Sequence, residues 1–328
     1  MNIKRIINRT FEELRATYMI SKVTSIREAI TTFLAKVDIQ VLSRNGYKEN
    51  DSQKKRLLKK HNVMMKYFNR TFKEFLDKYN GPKIYEEDVD MSDTIWVCWW
   101  QGYDNAPEIV KKCIDSMRRN CGSKKIVIID ESNYKDYVHI PGWIEEKKEK
   151  GIITRTHFSD ITRLCLLAEH GGLWLDSTFF CVDSLEPYFN YPLWSIKRPD
   201  YLHCSIAGGM FATYSLKCSF ENRWIFKTIL DLYLHYWEIN ERQIDYLTLD
   251  YMFVLAQQID ERIKNEFEKI VPNNPNCDEL IKVINKEFNK DEWDKLKENT
   301  RLFKLSWKFK FKDDKQTYFK LLKDSKLN

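Results

Sequence analysis

The sequence predicts an α/β fold with a mostly parallel central sheet, preceded by a helical appendage. Three observations predict it. Apolar residues recur at three- and four-residue steps up to about residue 80. Two short β-branched and aromatic runs then enclose a helix-length segment between Thr94 and Asp130. A third run, following the paired glycines of HGGLWLDST (170–178), ends on a single aspartate.

In the appendage, residues 1–83, the helical faces are marked by Ile6, Ile7 and Phe11, by Ile30, Phe33 and Leu34, and by Met64, Tyr67, Phe68, Phe72 and Phe75. The polar stretch 43–53 reads as a link between helices, and Gly81-Pro82 closes the unit. The second unit, residues 84–328, opens with TIWVCWW (94–100), a continuous apolar run typical of a buried strand. Asn105-Ala106-Pro107 marks a helix start, proline being tolerated in the first turn, and the helix should reach about Asn120. KIVIID (125–130) is a second buried strand, and strand–helix–strand at this spacing argues for parallel pairing. Residues 158–169 form a further helix, with Ser159 placed to cap it and Gly171 to end it. LWL and TFFCV follow as strands, then the strand-like LWSI (193–196) and GGMFAT (208–213). Helices are expected over 221–237 and 246–259, a charged helical region over 278–298, and a last strand in RLFKLSW (301–307).

With 328 residues, 43% of them hydrophobic, the chain can bury a large core. Its eight cysteines contain no C-x-x-C pair, which suggests free thiols in a reducing compartment, and its six histidines never recur at metal-ligand spacing. The first twenty residues are too charged for a signal peptide, and no apolar run approaches the ~18 residues a spanning helix needs. A cytoplasmic location is expected. The net charge of +6 conceals an asymmetry: residues 1–83 hold 19 Lys and Arg against 8 Asp and Glu, and residues 301–328 hold 9 against 3, so the middle is acidic. Basic ends fit peripheral contact with an anionic membrane, at about 1 kcal/mol per well-placed cation, although any single lysine is more often part of a solvated helix face. No nucleic-acid-binding module is present in the sequence.

The chemistry concentrates in SDITRLCLLAEHGGLWLDST (159–178). Asp160 and Arg163, three apart, share one helix face near its expected N-terminus. An acid and a guanidinium presented together suit a polyhydroxyl or phosphate ligand, but the same pair is also a common surface salt bridge. Asp176, at the tip of a buried strand and followed by Ser177 and Thr178, offers hard oxygen atoms where a sugar or a Mg²⁺ or Mn²⁺ ion could sit.

This stretch resembles the sugar-nucleotide signature of the bacterial capsular polysaccharide synthesis glycosyltransferases, which in turn look related to yeast-type mannosyltransferases and the glucosylating clostridial toxins. IWVCWWQGYDNAPEIVKKCIDSMRRN resembles the family's opening strand and helix, and KLSWK (304–308) a later element, so the likeness covers about residues 93–310. It implies a GT-A (Rossmann-like nucleotide-sugar) fold and retaining transfer of a hexose, galactose or glucose, from UDP-hexose to a saccharide acceptor, in this family a lipid-linked repeat unit. By the same likeness Asp160 and Arg163 hold the donor hexose, Asp176 is the first acid of a D-x-D element, and Trp174 packs near the donor. Trp99 or Trp100 would lie against uracil and ribose, where stacking on an indole is worth about 1–3 kcal/mol; ordinary core packing is the alternative, and for Trp96 the better one. Thr178 stands where many relatives have the second acid, and a hydroxyl is a poorer ligand for Mn²⁺ or Mg²⁺ than a carboxylate. Asp183, Asp245 and Asp250 are spare carboxylates for completing the site or activating an acceptor hydroxyl. Lys304, Ser306, Trp307 and Lys308 would close over the diphosphate; an edge strand guarded by lysines fits the same alternation equally well. A toxin-like protein glycosyltransferase and a catalytically silent sugar-nucleotide-binding scaffold are the rival functions.

Overall fold

The computed structural model describes residues 3–43, 46–199, 203–313 and 316–327, with side chains from residue 10 onward. The side chains of Ile6 and Ile7, and part of the link at 43–53, therefore lie outside the described residues. Four helices come first, α1 (Ile3–Val23), α2 (Ile26–Leu42), α3 (Asp51–Thr71) and α4 (Lys73–Lys78). Capping boxes start two of them: Ser25 with Glu28 opens α2, and Asn50 with Gln53 opens α3. The inner face of α3 carries Met64, Phe68 and, just past its end, Phe72, all with no exposed surface. These join Ala16 and Ile20 of α1 in the same hydrophobic cluster as the sheet, so the core runs unbroken past residue 83.

The sheet is built next. β1 (Thr94–Cys98) leads into α5 (Glu108–Asn120) and returns as β2 (Lys125–Ile129); α6 (Gly142–Glu149) and α7 (Arg155–Glu169) precede β3 (Gly172–Leu175). β4 (Phe179–Cys181), β5 (Leu193–Ser195) and β6 (Ser215–Cys218) follow, then α8 (Arg223–Ile239), α9 (Thr248–Ile259) and α10 (Glu261–Glu268). The chain ends with α11 (Leu280–Val283), α12 (Lys290–Lys297), β7 (Leu302–Lys304) and α13 (Tyr318–Lys323). The central sheet has the order β2-β1-β3-β6-β5, and β4 pairs separately with β7. β1 runs parallel to both β2 and β3, while β6 is antiparallel to its neighbours β3 and β5. The mostly parallel α/β sheet is thus present, with one reversed strand.

The paired glycines have a steric reason. Gly171 (φ +71°) and Gly172 (φ +100°) adopt backbone angles that L side chains rarely take. A Cβ on Gly172 would stand 2.6 Å from Trp96 Nε1 and 2.7 Å from the Thr94 carbonyl oxygen. The Trp96 indole instead donates to the Gly171 carbonyl at 2.8 Å, locking β1 against the start of β3. Trp96 is fully buried core.

Several elements differ from expectation. GGMFAT is turn and coil; the strand in this region is β6, SLKC, a few residues on. The charged region 278–298 breaks into two short helices. Helix α7 starts at Arg155, four residues earlier than its expected cap: Thr154 accepts from His157 N, and Ser159 bonds back to the Arg155 carbonyl. Asp160 and Arg163 consequently sit in the second and third turns, where the amide hydrogens are spent on the helix itself. Phe11, Ile30 and Leu34, which mark the helical periodicity, point to solvent.

Candidate active site

β3 ends at Leu175 and hands the chain to a tight turn. The Asp176 amide donates to the Tyr214 carbonyl (3.0 Å), and the Phe179 amide donates back to the Asp176 carbonyl (3.1 Å). This fixes the Asp176 carboxylate at the tip of the sheet, with Ser177 and Thr178 buried behind it. Helix α7 passes alongside, with Asp160 and Arg163 on one face. Arg163 bridges the two acids: Nη2 donates to Asp176 Oδ1 at 3.2 Å, and Nη1 lies 3.4 Å from Asp160 Oδ1. The Trp174 indole donates to the same Asp176 oxygen at 3.1 Å, and its ring lies under the Arg163 guanidinium at 4.8 Å. From the far end of the chain, β7 pairs Lys304 with Phe179 of β4. Its ammonium reaches Asp176 Oδ2 at 3.2 Å and donates to Thr178 Oγ1 at 2.6 Å. Asp160, Arg163, Asp176 and Lys304, spread over 145 residues, meet in one cluster.

The two acids are held differently. Burial raises the Asp160 carboxyl to about 7; Arg163 offsets this only in part, and the charges of Asp176 and Asp250 add to it. Burial also acts on Asp176, but the Lys304 ammonium, the Arg163 guanidinium and the Trp174 indole outweigh it and hold that carboxyl below its ordinary value. Burial pushes Asp250 up to about 6. Burial, then the charges of Asp160, Asp176 and Asp250, raise the Tyr246 hydroxyl, so the loop before α9 lies within electrostatic reach of the cluster.

Two buried donors here have no hydrogen-bond partner, Arg163 Nε and Trp99 Nε1. Most buried donors in folded proteins are satisfied, so an orphan beside a charged cluster points to a ligand contact. Trp99 meets Trp307 edge to face at 5.9 Å, and Trp307 is half exposed at the rim. The Lys308 ammonium lies over the Trp307 ring, and the Ser306 hydroxyl accepts from the Lys308 amide at 3.3 Å. An open cleft of about 2090 Å³ begins at Ser306 and Phe309 and continues past Arg198, Asp278 and Tyr191. The charged cluster does not line it; Arg198 connects them by donating to the Tyr214 hydroxyl at 2.5 Å.

Trp100 does not belong to the site. It is buried against Tyr134 and Phe158, and its indole donates to Ser159 Oγ at 2.7 Å. Asp245 is also structural: fully buried, it takes Lys60 at 3.0 Å and Lys36 at 3.8 Å, tying α2 and α3 to the loop before α9. Asp183 pairs with Arg301 at 3.2 Å instead of joining the cluster. Tyr214 and Tyr246 adjoin the cluster without any sequence motif to announce them, because only the antiparallel β6 and the α8–α9 loop bring them near.

Asp176 and Thr178 fit a divalent cation poorly as arranged. Each Asp176 oxygen already faces a cationic nitrogen, and the Thr178 hydroxyl oxygen accepts from Lys304. Among the described residues no group of three His, Cys, Asp or Glu side chains is placed to hold a metal ion. The place between Asp176 and Thr178 belongs to the Lys304 ammonium.

Comparison with known proteins extends this picture. Over 166 residues the chain is 24% identical to the O-glycosyltransferase PaGT of Phomopsis amygdali, covering 45% of this chain and 40% of that protein. Over 107 residues it is 28% identical to the O-glycosyltransferase braB of Annulohypoxylon truncatum, covering 30% of this chain and 25% of that protein. The chain therefore spans less than half the length of either relative. No solved structure matches it. The family model described as capsular polysaccharide synthesis protein matches residues 44–322, starting inside the helical appendage and including every residue of the Asp176 cluster. The chain belongs to the capsular polysaccharide synthesis protein family.

Proposed function

We propose that the chain is a glycosyltransferase that moves a hexose, galactose or glucose, from UDP-hexose to a hydroxyl of a saccharide acceptor, a lipid-linked repeat unit, with retention of configuration. The carrying observation is the convergence of Asp160, Arg163, Asp176 and Lys304 on one point. The names of the two fungal relatives support an oxygen acceptor. Asp160 and Arg163 orient the hexose hydroxyls, and Trp99 with Trp307 receives the base. Lys304 and Arg163 neutralise the departing diphosphate, the charge that develops as the bond to the anomeric carbon breaks. The acceptor oxygen enters from the same face, and Asp250 takes its proton, with a carboxyl raised to about 6 suiting a base near neutral pH. Lys304 supplies the cation beside Asp176 in this reaction.

The test is a screen of UDP-galactose and UDP-glucose by UDP release, with the anomeric product read by NMR. Wild type should turn over at least one donor, and Asp176→Ala should lower turnover by about a hundredfold or more. Tight UDP binding without turnover of any UDP-hexose, with or without saccharide acceptors, would leave a sugar-nucleotide-binding scaffold instead.

A further inference from the structure

A surface helix normally turns its apolar stripe inward and its charges outward. Helices α1 and α2 have an apolar stripe on each side. Inward, α1 buries Ala16 and Ile20, and α2 buries Ala29, Thr32 and Ala35. Outward, α1 exposes Phe11 (58%), Leu14 and Tyr18 (61%) at helical spacing. The outer stripe of α2 is longer, running Ile26 (71%), Ile30, Leu34, Val37 and Val41 at three- and four-residue steps. Eight of the 22 large apolar side chains exposed among the described residues thus fall within 31 consecutive positions. That concentration exceeds the scatter of single apolar residues every protein surface carries.

Charge decides what covers this face. Exposed cations lie on the same helices and on α3: Arg15, 3.5 Å from Glu12, and Lys22 on α1, Arg27 at the start of α2, and Lys54, Lys55 and Lys59 on α3. The Lys22 ammonium lies 4.5 Å over the Tyr18 ring, placing a cation directly on the apolar stripe. Residues 1–83 carry 19 basic against 8 acidic side chains. A second copy of this chain would present like charge to like charge. An anionic bilayer presents acyl chains to the stripe and negative headgroups to the cations. Among the described residues no helix is long and apolar enough to cross a membrane.

We propose that the outer face of the α1–α2 hairpin is a docking surface for an anionic lipid bilayer. The same hairpin is tied to the loop before α9. Lys36 of α2 donates to the Ile244 carbonyl at 2.6 Å and, with Lys60 of α3, grips Asp245, whose neighbour Tyr246 lies within electrostatic reach of the catalytic cluster. Docking through the outer face would thus hold the α8–α9 loop, from which Asp250 would meet an acceptor, at a fixed distance from the bilayer. The surface stands independently of any sugar transfer, and its test requires none.

The experiment is co-sedimentation of the full chain with phosphatidylcholine vesicles and with vesicles containing added phosphatidylglycerol, at low and high salt. Wild type should partition to the anionic vesicles and release with salt. The double variant Ile30→Glu, Leu34→Glu should lose about tenfold or more in partitioning, with melting temperature and UDP release in solution unchanged. The pair Arg15→Glu, Lys22→Glu should lose most of the salt-sensitive part. Absence of wild-type binding to anionic vesicles overturns the proposal, as does equal binding by the Ile30→Glu, Leu34→Glu variant. Sedimentation velocity supplies the remaining outcome: a wild-type dimer that this variant dissolves, without vesicle binding, assigns the face to a second copy and sinks the membrane reading.

Discussion

Replacing Lys304 by methionine tests the electrostatics of the site most directly. The substitution keeps the aliphatic stem and the β4–β7 pairing and removes one charge, 3.2 Å from Asp176 Oδ2 and 2.6 Å from Thr178 Oγ1. Two unit charges about 4 Å apart interact by about 4 kcal/mol at an effective dielectric of about 20. The side chains are 22% and 29% exposed, so solvent screens part of that. Folding should lose about 1 kcal/mol, because Arg163 and Trp174 still hold Asp176. Catalysis should lose more. In the proposed reaction the ammonium also faces the diphosphate, where removing one fixed stabilising group costs about 2.7–4 kcal/mol, a hundred- to thousandfold in kcat. The assay is UDP release with and without EDTA and with added Mn²⁺. Wild type should keep its rate in EDTA, while Lys304→Met should be slow and recover part of its rate with Mn²⁺, since Asp176 Oδ2 and the Thr178 hydroxyl are then open to a cation. A wild type that EDTA silences and Mn²⁺ restores, alongside a Lys304→Met variant within about threefold of wild type, would refute the reasoning.

The other substitutions separate folding from chemistry. Asp160→Asn removes a carboxyl that titrates near 7 in the folded chain and near 4 unfolded. Between those values the folded state holds a proton the unfolded state has lost, so this group's contribution to stability falls as pH rises from about 4 to about 7. The displacement of about three units sets a ceiling of about 4 kcal/mol, and the lost Arg163 contact offsets part of it. Thermal melts should therefore show Asp160→Asn gaining on wild type at pH 8 and losing that gain at pH 4, while turnover drops throughout; parallel melting curves across pH would count against the raised carboxyl. Asp245→Ala should destabilise by about 3–5 kcal/mol in urea, because it strands the buried Lys60; a variant that folds normally but cannot transfer sugar would restore Asp245 as a base. Trp99→Ala should weaken UDP binding by about 1–3 kcal/mol in calorimetry, with Trp100→Ala losing stability instead, and equal UDP affinity in both would remove Trp99 from the site.

Much of this arrangement was legible in the sequence, and the remainder was not for identifiable reasons. Asp160, Arg163, Trp174 and Asp176 lie within seventeen residues, and their meeting follows from one helix, one glycine break and one strand. The tryptophans divided less cleanly. Trp99 and Trp100 are adjacent in a run that reads apolar throughout, and the turn after β1 alone decides that one meets the half-exposed Trp307 and the other packs in the core. Asp245 and Asp250 look equivalent on paper, yet only one meets lysines from helices 185 and 209 residues earlier. The outer stripe of α1 and α2 marks the helices correctly but does not give their facing. Helical periodicity reports that a stripe exists but not which way it faces, and these helices carry one on each side.

Asp160 and Asp176 share one arginine but end in opposite states, and that contrast bears on how the site works. Two cations and an indole converge on Asp176, which stays charged and rigid without any ligand. Asp160 receives one long contact to Arg163 and sits buried, so its ionised form is held weakly. A ligand supplying hydroxyl donors to Asp160 would lower its carboxyl by as much as it binds the ionised form more tightly than the protonated one. Donor binding should therefore release close to half a proton near pH 7, at the pKa of the free group. Measuring nucleotide-sugar binding in buffers of different ionisation enthalpy reads that release directly. UDP alone, which has no hexose to reach Asp160, should release much less; equal release with UDP and UDP-hexose would mean that Asp160 does not touch the sugar.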